Sequence, residues 1–169
     1  ANRGIWGADM VKLLQKLLEE GLMDRQGLLK EPYFTKGIRI GDVLVTKEAV
    51  RAVQLAKGAI AAGIEILTEN YGIRLSDISK VVLAGGFGYY LDPKAATAIG
   101  LLPKELTDRT VTGGNTALSG AALVGNRMLT GQLRAWDDLR RWHELQIQIL
   151  NLAEQVKFTE TFLKKMDFC

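Results

Sequence analysis

One short run of residues, Val81 to Gly88, constrains the fold of this chain more than any other. It reads Val-Val-Leu-Ala-Gly-Gly-Phe-Gly, so strongly β-prone residues lead directly into paired glycines, and helix-forming sequence lies on either side. The pattern predicts a buried strand that ends in a loop without obstructing side chains. In an α/β domain, ligands bind at the carboxyl end of a central strand, and glycine lets a flat or anionic group touch the main chain. A nucleotide is the expected ligand, while a tight turn between a strand and a helix is the simpler alternative.

The glycine run matches neither of two common phosphate-binding motifs. A Walker loop requires lysine and then serine or threonine after its last glycine, whereas Tyr89 and Tyr90 follow Gly88. A dinucleotide fingerprint requires a third glycine at the position where Leu91 stands. The sequence therefore disfavours a dinucleotide-binding fold.

Composition excludes several functional classes. The 169 residues carry a net charge of +3 from 22 basic and 19 acidic side chains, which are interspersed, so nucleic acid is not an expected partner. The single cysteine, Cys169, cannot form an internal disulfide, a zinc site or an iron–sulfur cluster within this chain. His143 is the only histidine, which excludes a multi-histidine metal site. Because there is no signal peptide and no apolar run long enough to span a bilayer, we expect a cytoplasmic protein without membrane contact.

The spacing of apolar residues predicts one α/β domain over residues 1–169. The predicted elements are a helix over 9–22, a hairpin or two short strands within 37–45, a long helix over 47–71, a strand over 80–84, a short helix over 94–99, a short edge strand at Val111, a helix over 116–128, a long amphipathic helix over 134–153, and a docking strand with a short helix over 156–168. A helix, a linker, a strand and a glycine loop in this order indicate a crossover onto a sheet.

Two glycines interrupt the long helix predicted over 47–71. Gly58 and Gly63 each cost about 1 kcal/mol relative to alanine in a helix interior. We expect such a helix to be approached closely by a neighbouring backbone or a ligand. Thr46, Asp92 and Asn115 are of the residue types that cap helix amino termini.

Several motifs together resemble a known family. The chain contains Gly-Ile-x-Gly-x-x-Met-Val at 4–11, Val-Thr-Lys-Glu-Ala-Val-Arg-Ala-Val-Gln-Leu-Ala-Lys-Gly-Ala-Ile at 45–60, Val-Val-Leu-Ala-Gly-Gly-Phe-Gly-Tyr-Tyr-Leu-Asp-Pro at 81–93, Ile-Gly-Leu-Leu-Pro at 99–103 and Gly-Asn-Thr-Ala-Leu-Ser-Gly-Ala at 114–121. In order and spacing these resemble the C-terminal part of the ATP-dependent reductive activators of corrinoid proteins, which include the activating enzymes of anaerobic O-demethylases.

The resemblance implies a fold and an activity. The fold would be the C-terminal half of an actin-like, sugar-kinase-like ATPase: an α/β domain with a small sheet flanked by helices. The whole activator would use ATP, with Mg, to drive electron transfer that returns cob(II)amide to cob(I)amide on a corrinoid protein. A [2Fe–2S] cluster would belong only to an N-terminal ferredoxin-like domain, which is absent from these residues.

The resemblance also implies candidate site residues. Residues 83–88 would form the adenosine motif, with a small-residue helix over 119–122 packed beneath it. The nucleotide-contacting candidates are Gly85, Gly86, Phe87, Gly88, Gln54, Lys57 and Asn115. For Lys57 a lysine at the helix surface, and for Asn115 a helix cap, are the simpler alternatives.

Departures from the family pattern limit what this chain can do alone. It has no Asp-x-Gly-Thr phosphate loop and no cysteine set, and Trp6 stands where relatives have cysteine. We therefore expect half of a nucleotide site, which is inactive by itself. Because the chain begins with Ala1, we also expect it to be a piece of a longer protein. The expected partners are the corrinoid protein and the missing N-terminal half, and a homodimer is possible. The alternative function is a non-catalytic interaction module of the same fold that has lost nucleotide binding.

Overall fold

The computed structural model describes residues 7–132 and 148–169. These residues form an α/β structure of small sheets flanked by helices, which confirms the predicted fold class. The elements are α1 (Gly7–Glu19), β1 (Ile38–Ile40), β2 (Val43–Val45), α2 (Lys47–Tyr71), β3 (Val81–Ala84), α3 (Gly85–Tyr90), α4 (Pro93–Ala98), β4 (Thr110–Gly114), α5 (Thr116–Leu129) and α6 (Phe158–Lys164), with single 3₁₀ segments at Leu75–Asp77, Lys104–Arg109 and Leu152–Glu154.

Helix α1 supplies one wall of the main core. Its buried residues recur every three or four positions, as an amphipathic helix requires, at Ala8, Val11, Leu14 and Leu17. They pack with the start of α2, the hairpin, α4 and the loop after it, and Phe168 near the end of the chain. The core therefore brings the first and last described segments together.

Strands β1 and β2 form the predicted hairpin. They pair antiparallel, with Ile38 opposite Val45, around a two-residue Gly41-Asp42 turn. Gly41 has φ +57°, a left-handed conformation that favours glycine.

Helix α2 begins and ends where the sequence predicts. The hydroxyl of Thr46 accepts a hydrogen bond from the Ala49 amide at 3.3 Å, and Gly72, at φ +71°, ends the helix in a left-handed cap. The helix is approached closely at both glycines, but by side chains and not by the expected backbone or ligand. A Cβ atom on Gly58 would lie 3.2 Å from Met166 Cγ, and one on Gly63 would lie 3.2 Å from Leu152. The two glycines therefore provide space for the carboxyl-terminal segment.

Strands β3 and β4 form a two-stranded parallel sheet. Val81 lies opposite Thr110, and after an irregularity Ala84 lies opposite Gly114. The predicted edge strand at Val111 is thus confirmed, and it extends through both glycines that follow.

Two predictions for the last third of the chain are wrong within the described residues: the end of the long amphipathic helix, over 148–153, and the docking strand. Of the helix predicted over 134–153, residues 134–147 lie outside the described part, and 148–154 contain only the short 3₁₀ segment. There the side chain of Asn151 accepts a hydrogen bond from the Ala153 amide at 3.2 Å, which competes with an α-helix. The docking strand predicted within 156–168 is not present either. Phe158, Phe162 and Met166 recur every four residues, and helix α6 presents Phe162 to α2.

Helix α5 also departs from expectation. The small residues at 119–122 were expected to pack beneath the glycine run, but α5 has no buried residue. In the described residues nothing lies within 4 Å of a Cβ atom placed on Gly120. Within the same described part, no helix is long and apolar enough to cross a bilayer.

Candidate functional site

The candidate site lies at the carboxyl ends of β3 and β4. Because the two strands are parallel and Ala84 pairs with Gly114, the residues that follow each strand, Gly85 and Asn115, emerge at the same sheet edge. The structure therefore brings the glycine run and Asn115 together, as the ligand-binding edge of an α/β sheet does.

Two glycines leave the main chain open at this edge. Gly85 has φ +84°, which a side chain rarely tolerates, and it begins α3 directly after the strand. Cβ atoms placed on Gly85 or Gly86 would meet nothing within 4 Å. We call the main chain of Gly85, Gly86 and Gly114 the glycine ledge; Gly86 is exposed, and the other two glycines are half-buried. Gly114 shares the left-handed conformation, with φ +71°.

Two neighbouring glycines have a packing role instead. A Cβ atom on Gly88 would lie 2.9 Å from the carbonyl carbon of Leu83, so α3 could not fold back onto its strand with a larger residue there. A Cβ atom on Gly113 would lie 2.7 Å from Val82 Cγ1 across the sheet. Local packing thus explains why Gly88 and Gly113 are glycine, as the simpler alternative of a tight turn would require. It does not explain Gly86.

Aromatic side chains border the ledge. A Cβ atom on Gly7 would lie 3.1 Å from the Phe87 ring, so Phe87 lies against the start of α1. The Tyr89 ring lies 3.6 Å from a Cβ position on Gly114 and is 54% exposed. Tyr89 also contacts Tyr90 edge to face, with ring centroids 4.7 Å apart. Tyr89 is not among the residues predicted to contact the nucleotide, although its position one helical turn after Gly85 predicts that both share a face.

Asn115 acts as the cap of α5. Its side-chain oxygen accepts a hydrogen bond from the Leu118 amide at 3.1 Å. Asp92 caps α4 in the same manner, accepting from the Lys94 amide at 2.9 Å. The cap interpretation is therefore confirmed for both residues. A contact from Asn115 to a nucleotide stays a prediction.

Gln54 and Lys57 lie against the carboxyl-terminal segment. Both side chains are buried on α2. Gln54 donates to the Gln26 carbonyl at 2.8 Å, and Lys57 donates to the carbonyl of Lys165 at 2.8 Å and also to that of Asp167. These contacts show a structural task for both residues, and their role as nucleoside ligands stays a prediction.

The burial of Lys57 changes its acidity. Removal of the ammonium from water lowers the pKa of Lys57 to about 8, while the nearby charges of Cys169 and Asp167 act in the opposite direction and Lys165 adds to the lowering. The ammonium also lies 5.2 Å from the centroid of the Phe168 ring. Within residues 7–132 and 148–169, Lys57 is thus held by two carbonyls and a ring and forms no ion pair with a carboxylate.

The described residues offer no assembled metal site. Among 7–132 and 148–169, no group of three histidine, cysteine, aspartate or glutamate side chains converges.

Comparison with known proteins places these features in context. Residues 1–169 match the model of a family described as the C-terminal domain of RACo, the ASKHA domain. The corrinoid activation enzyme RamQ of Eubacterium limosum is 36% identical over 149 residues, which cover 73% of this chain and 25% of that protein. A solved structure of a reductive activator for corrinoid, iron–sulfur protein aligns with 98% of this chain and 28% of its own, with a TM-score of 0.78 and 26% identity. The chain spans about a quarter of the length of these relatives.

Proposed function

Because this chain belongs to the family of the C-terminal ASKHA domain of RACo, we propose that it supplies the adenosine side of an ATP site in a reductive activator of corrinoid proteins. In this proposal the activator returns cob(II)amide to cob(I)amide in a cytoplasmic methyl-transfer or O-demethylase system. The names of the relatives support the corrinoid protein as partner. The open main chain of Gly86 at the ledge is the observation that carries the nucleotide assignment.

The ledge suits a nucleoside for a physical reason. A planar base or a ribose approaches closely only where no side chain projects, and Gly85 and Gly86 leave that space free. The packing of Gly88 and Gly113 fixes α3 against the sheet, so the ledge is held by a rigid element. Asn115, at the adjacent strand end, is the candidate for a polar contact with ribose or phosphate. Phe87 borders the same site.

The phosphate side of the site must come from other residues. The chain has neither the phosphate loop of the superfamily nor the acid associated with magnesium, and Cys169 alone cannot hold a cluster. The aligned residues cover only 25% and 28% of the two relatives. We therefore assign Mg²⁺ binding, the [2Fe–2S] cluster and the first half of the cleft to polypeptide outside residues 1–169, and these residues to one C-terminal domain.

ATP would act by changing the relative stability of two forms of the cleft. A bound nucleotide shifts an equilibrium only by the difference in its affinity for the two forms. The ledge residues would contribute to that difference, because contacts from both halves to one nucleotide form only in the closed cleft. The closed form would then alter affinity for the corrinoid protein.

The exposed face of α5 and of the sheet is proposed to contact that other half. Leu118 and Leu129 on α5 are 66% and 90% exposed, and Val82 and Val111, neighbours in the sheet, are also exposed. Parallel sheets are normally covered on both faces, and exposed apolar area of this kind marks an interface. The first half of the same protein is the proposed occupant, because β3 and β4 end at the glycine ledge and α5 begins directly after it.

Nucleotide titration tests the proposal. We compare residues 1–169 with the longest form of the protein that carries them, using calorimetry with Mg-ATP, and expect measurable binding in the longer form only. Gly86→Val should lower the ATP affinity of that form at least tenfold, because the side chain would occupy the ledge. Ala56→Val, at an exposed position of α2, is the control and should change nothing.

Measurements of the free energy of unfolding distinguish two causes of lost ATP affinity: a side chain that occupies the ledge, and a destabilised fold. Gly86→Ala should not destabilise the protein, because Gly86 is helical with open space around it and alanine favours helix by up to about 1 kcal/mol. Unchanged ATP affinity in Gly86→Val would refute the ledge as the nucleotide site. Absence of ATP binding in the longer form would favour the alternative, a non-catalytic interaction module.

A further inference from the structure

We propose that Tyr89 is the stacking surface for the purine base of the bound nucleotide. This inference rests on the proposed function and adds the residue that recognises the base. Gly85 and Gly86 explain how the main chain can be approached, but bare backbone distinguishes poorly between a purine and any other flat group. A neighbouring aromatic ring would supply that distinction.

The geometry of α3 carries the inference. Tyr89 follows Gly85 by four residues, so both lie on one face of the helix, and helical side chains lean toward the amino terminus. No atom lies within 4 Å of a Cβ position on Gly85 or Gly86, so the Tyr89 ring leaves the space at the start of the helix open. The ring lies 3.6 Å from the Cβ position of Gly114, at the end of the neighbouring strand. Tyr89 therefore borders the ledge from the side of β4.

Neighbours distinguish Tyr89 from Phe87. Both residues are about half exposed, Tyr89 at 54% and Phe87 at 48%, so both have accessible surface. The Phe87 ring lies against Gly7 at the start of α1, so it serves the contact between two helices. Tyr89 is supported by Tyr90, whose ring meets it at an interplanar angle of 81°. This edge-to-face support fixes the Tyr89 ring and leaves ring surface available.

Stacking predicts a defined effect on affinity. Loss of an aromatic partner of a base lowers affinity by about tenfold to a hundredfold in proteins that bind bases by stacking. The effect should depend on the ring and not on the phenolic hydroxyl. It should also be specific for ligands that carry a base.

The experiment measures Mg-ATP and inorganic triphosphate binding in the longest form of the protein that carries these residues. The ATP affinity of Tyr89→Phe should lie within about twofold of the wild-type value. The ATP affinities of Tyr89→Leu and Tyr89→Ala should be lower by about tenfold or more. Inorganic triphosphate should bind equally well to all of them. Tyr71→Ala, which removes a tyrosine that is 80% exposed at the end of α2, is the control.

Each other outcome overturns a specific statement. Wild-type ATP affinity in Tyr89→Ala would overturn the stacking role while leaving the ledge as the nucleotide site. Equal losses for ATP and inorganic triphosphate would also overturn it, because they would indicate a structural role for Tyr89 beside Gly114. Failure of the wild-type protein to bind ATP would instead refute the proposed function itself.

Discussion

Lys57 illustrates at the scale of one residue how surroundings decide the task of a side chain. Its sequence context suggested either a ligand or a lysine at the helix surface, yet its ammonium is buried beneath the last residues of the chain. The hydrogen bonds to the Lys165 and Asp167 carbonyls tie that segment to α2. A buried ammonium without a carboxylate partner has a cost, which appears as its lowered pKa.

We expect the free energy of unfolding to rise between pH 8 and 10.5 through Lys57. The folded pKa is about 8 and the ordinary value is 10.5, so in this window the unfolded chain holds more protons at this site. Deprotonation therefore removes a penalty paid only by the folded chain. With allowance for partial screening by solvent, the gain is about 2 kcal/mol.

Urea unfolding of wild type and Lys57→Met at pH 7.5 and pH 10 checks this expectation. Both proteins should carry Cys169→Ser, so that neither contains the single cysteine of the chain. The free energy of unfolding of the wild type should rise relative to that of the variant as pH rises, because methionine has no proton to lose. A stability difference that stays constant with pH would contradict the assignment. Asp167 and Lys165 are present in both proteins, so the measured difference contains only their interaction with the Lys57 ammonium.

At the scale of elements, the contact between α2 and α6 holds the carboxyl-terminal segment in place. The contact uses Gly58 as a gap in the surface of α2, into which Phe162 and Met166 fit. An exposed ion pair between Lys165 and Glu65, at 2.7 Å, lies on the same interface and contributes little by itself. The interface therefore depends mainly on apolar packing against the glycine.

Gly58→Leu should lower the free energy of unfolding by about 1–3 kcal/mol. The new side chain would have to displace the Phe162 ring and Met166, and overpacking of this kind outweighs the gain in helix propensity. Ala56→Leu, on the exposed side of the same helix, is the matched control and should be close to neutral. Denaturant unfolding of both variants measures the difference. Equal free energies of unfolding for the two variants would show that the contact between α2 and α6 at Gly58 does not contribute to stability.

At the scale of the whole molecule, the described part contains a packed region and a region without cover. The core joins α1, α4 and the start of α2, whereas α5 has no buried residue. Helices of this length are marginal in water without tertiary packing. The stability of α5 thus depends on what covers it.

Hydrogen exchange should reveal that dependence. In residues 1–169 alone, amides of α5 should exchange at least tenfold faster than those in the middle of α2, because local unfolding of an uncovered helix costs little. In the longest form of the protein, the α5 amides should be protected to a similar degree as those of α2. Mass spectrometry of peptides from the two helices provides the comparison. Equal exchange of α5 in both forms would refute the proposed interface.

Sequence by itself determined the elements whose cause is local. Helix α2 begins at a threonine cap and ends at a left-handed glycine, and β3 ends at paired glycines, so neighbours in the chain suffice to predict them. The motifs also identified the family without any coordinates, because their order and spacing are specific.

Only the tertiary structure decided the tasks that depend on distant partners. Gly86 and Gly88 look alike in sequence, but the strand backbone near Gly88 makes one a packing requirement and leaves the other open. Lys57 likewise meets carbonyls more than a hundred positions away. Long-range contacts depend on how whole elements stack, and that arrangement is not encoded in any short window of residues.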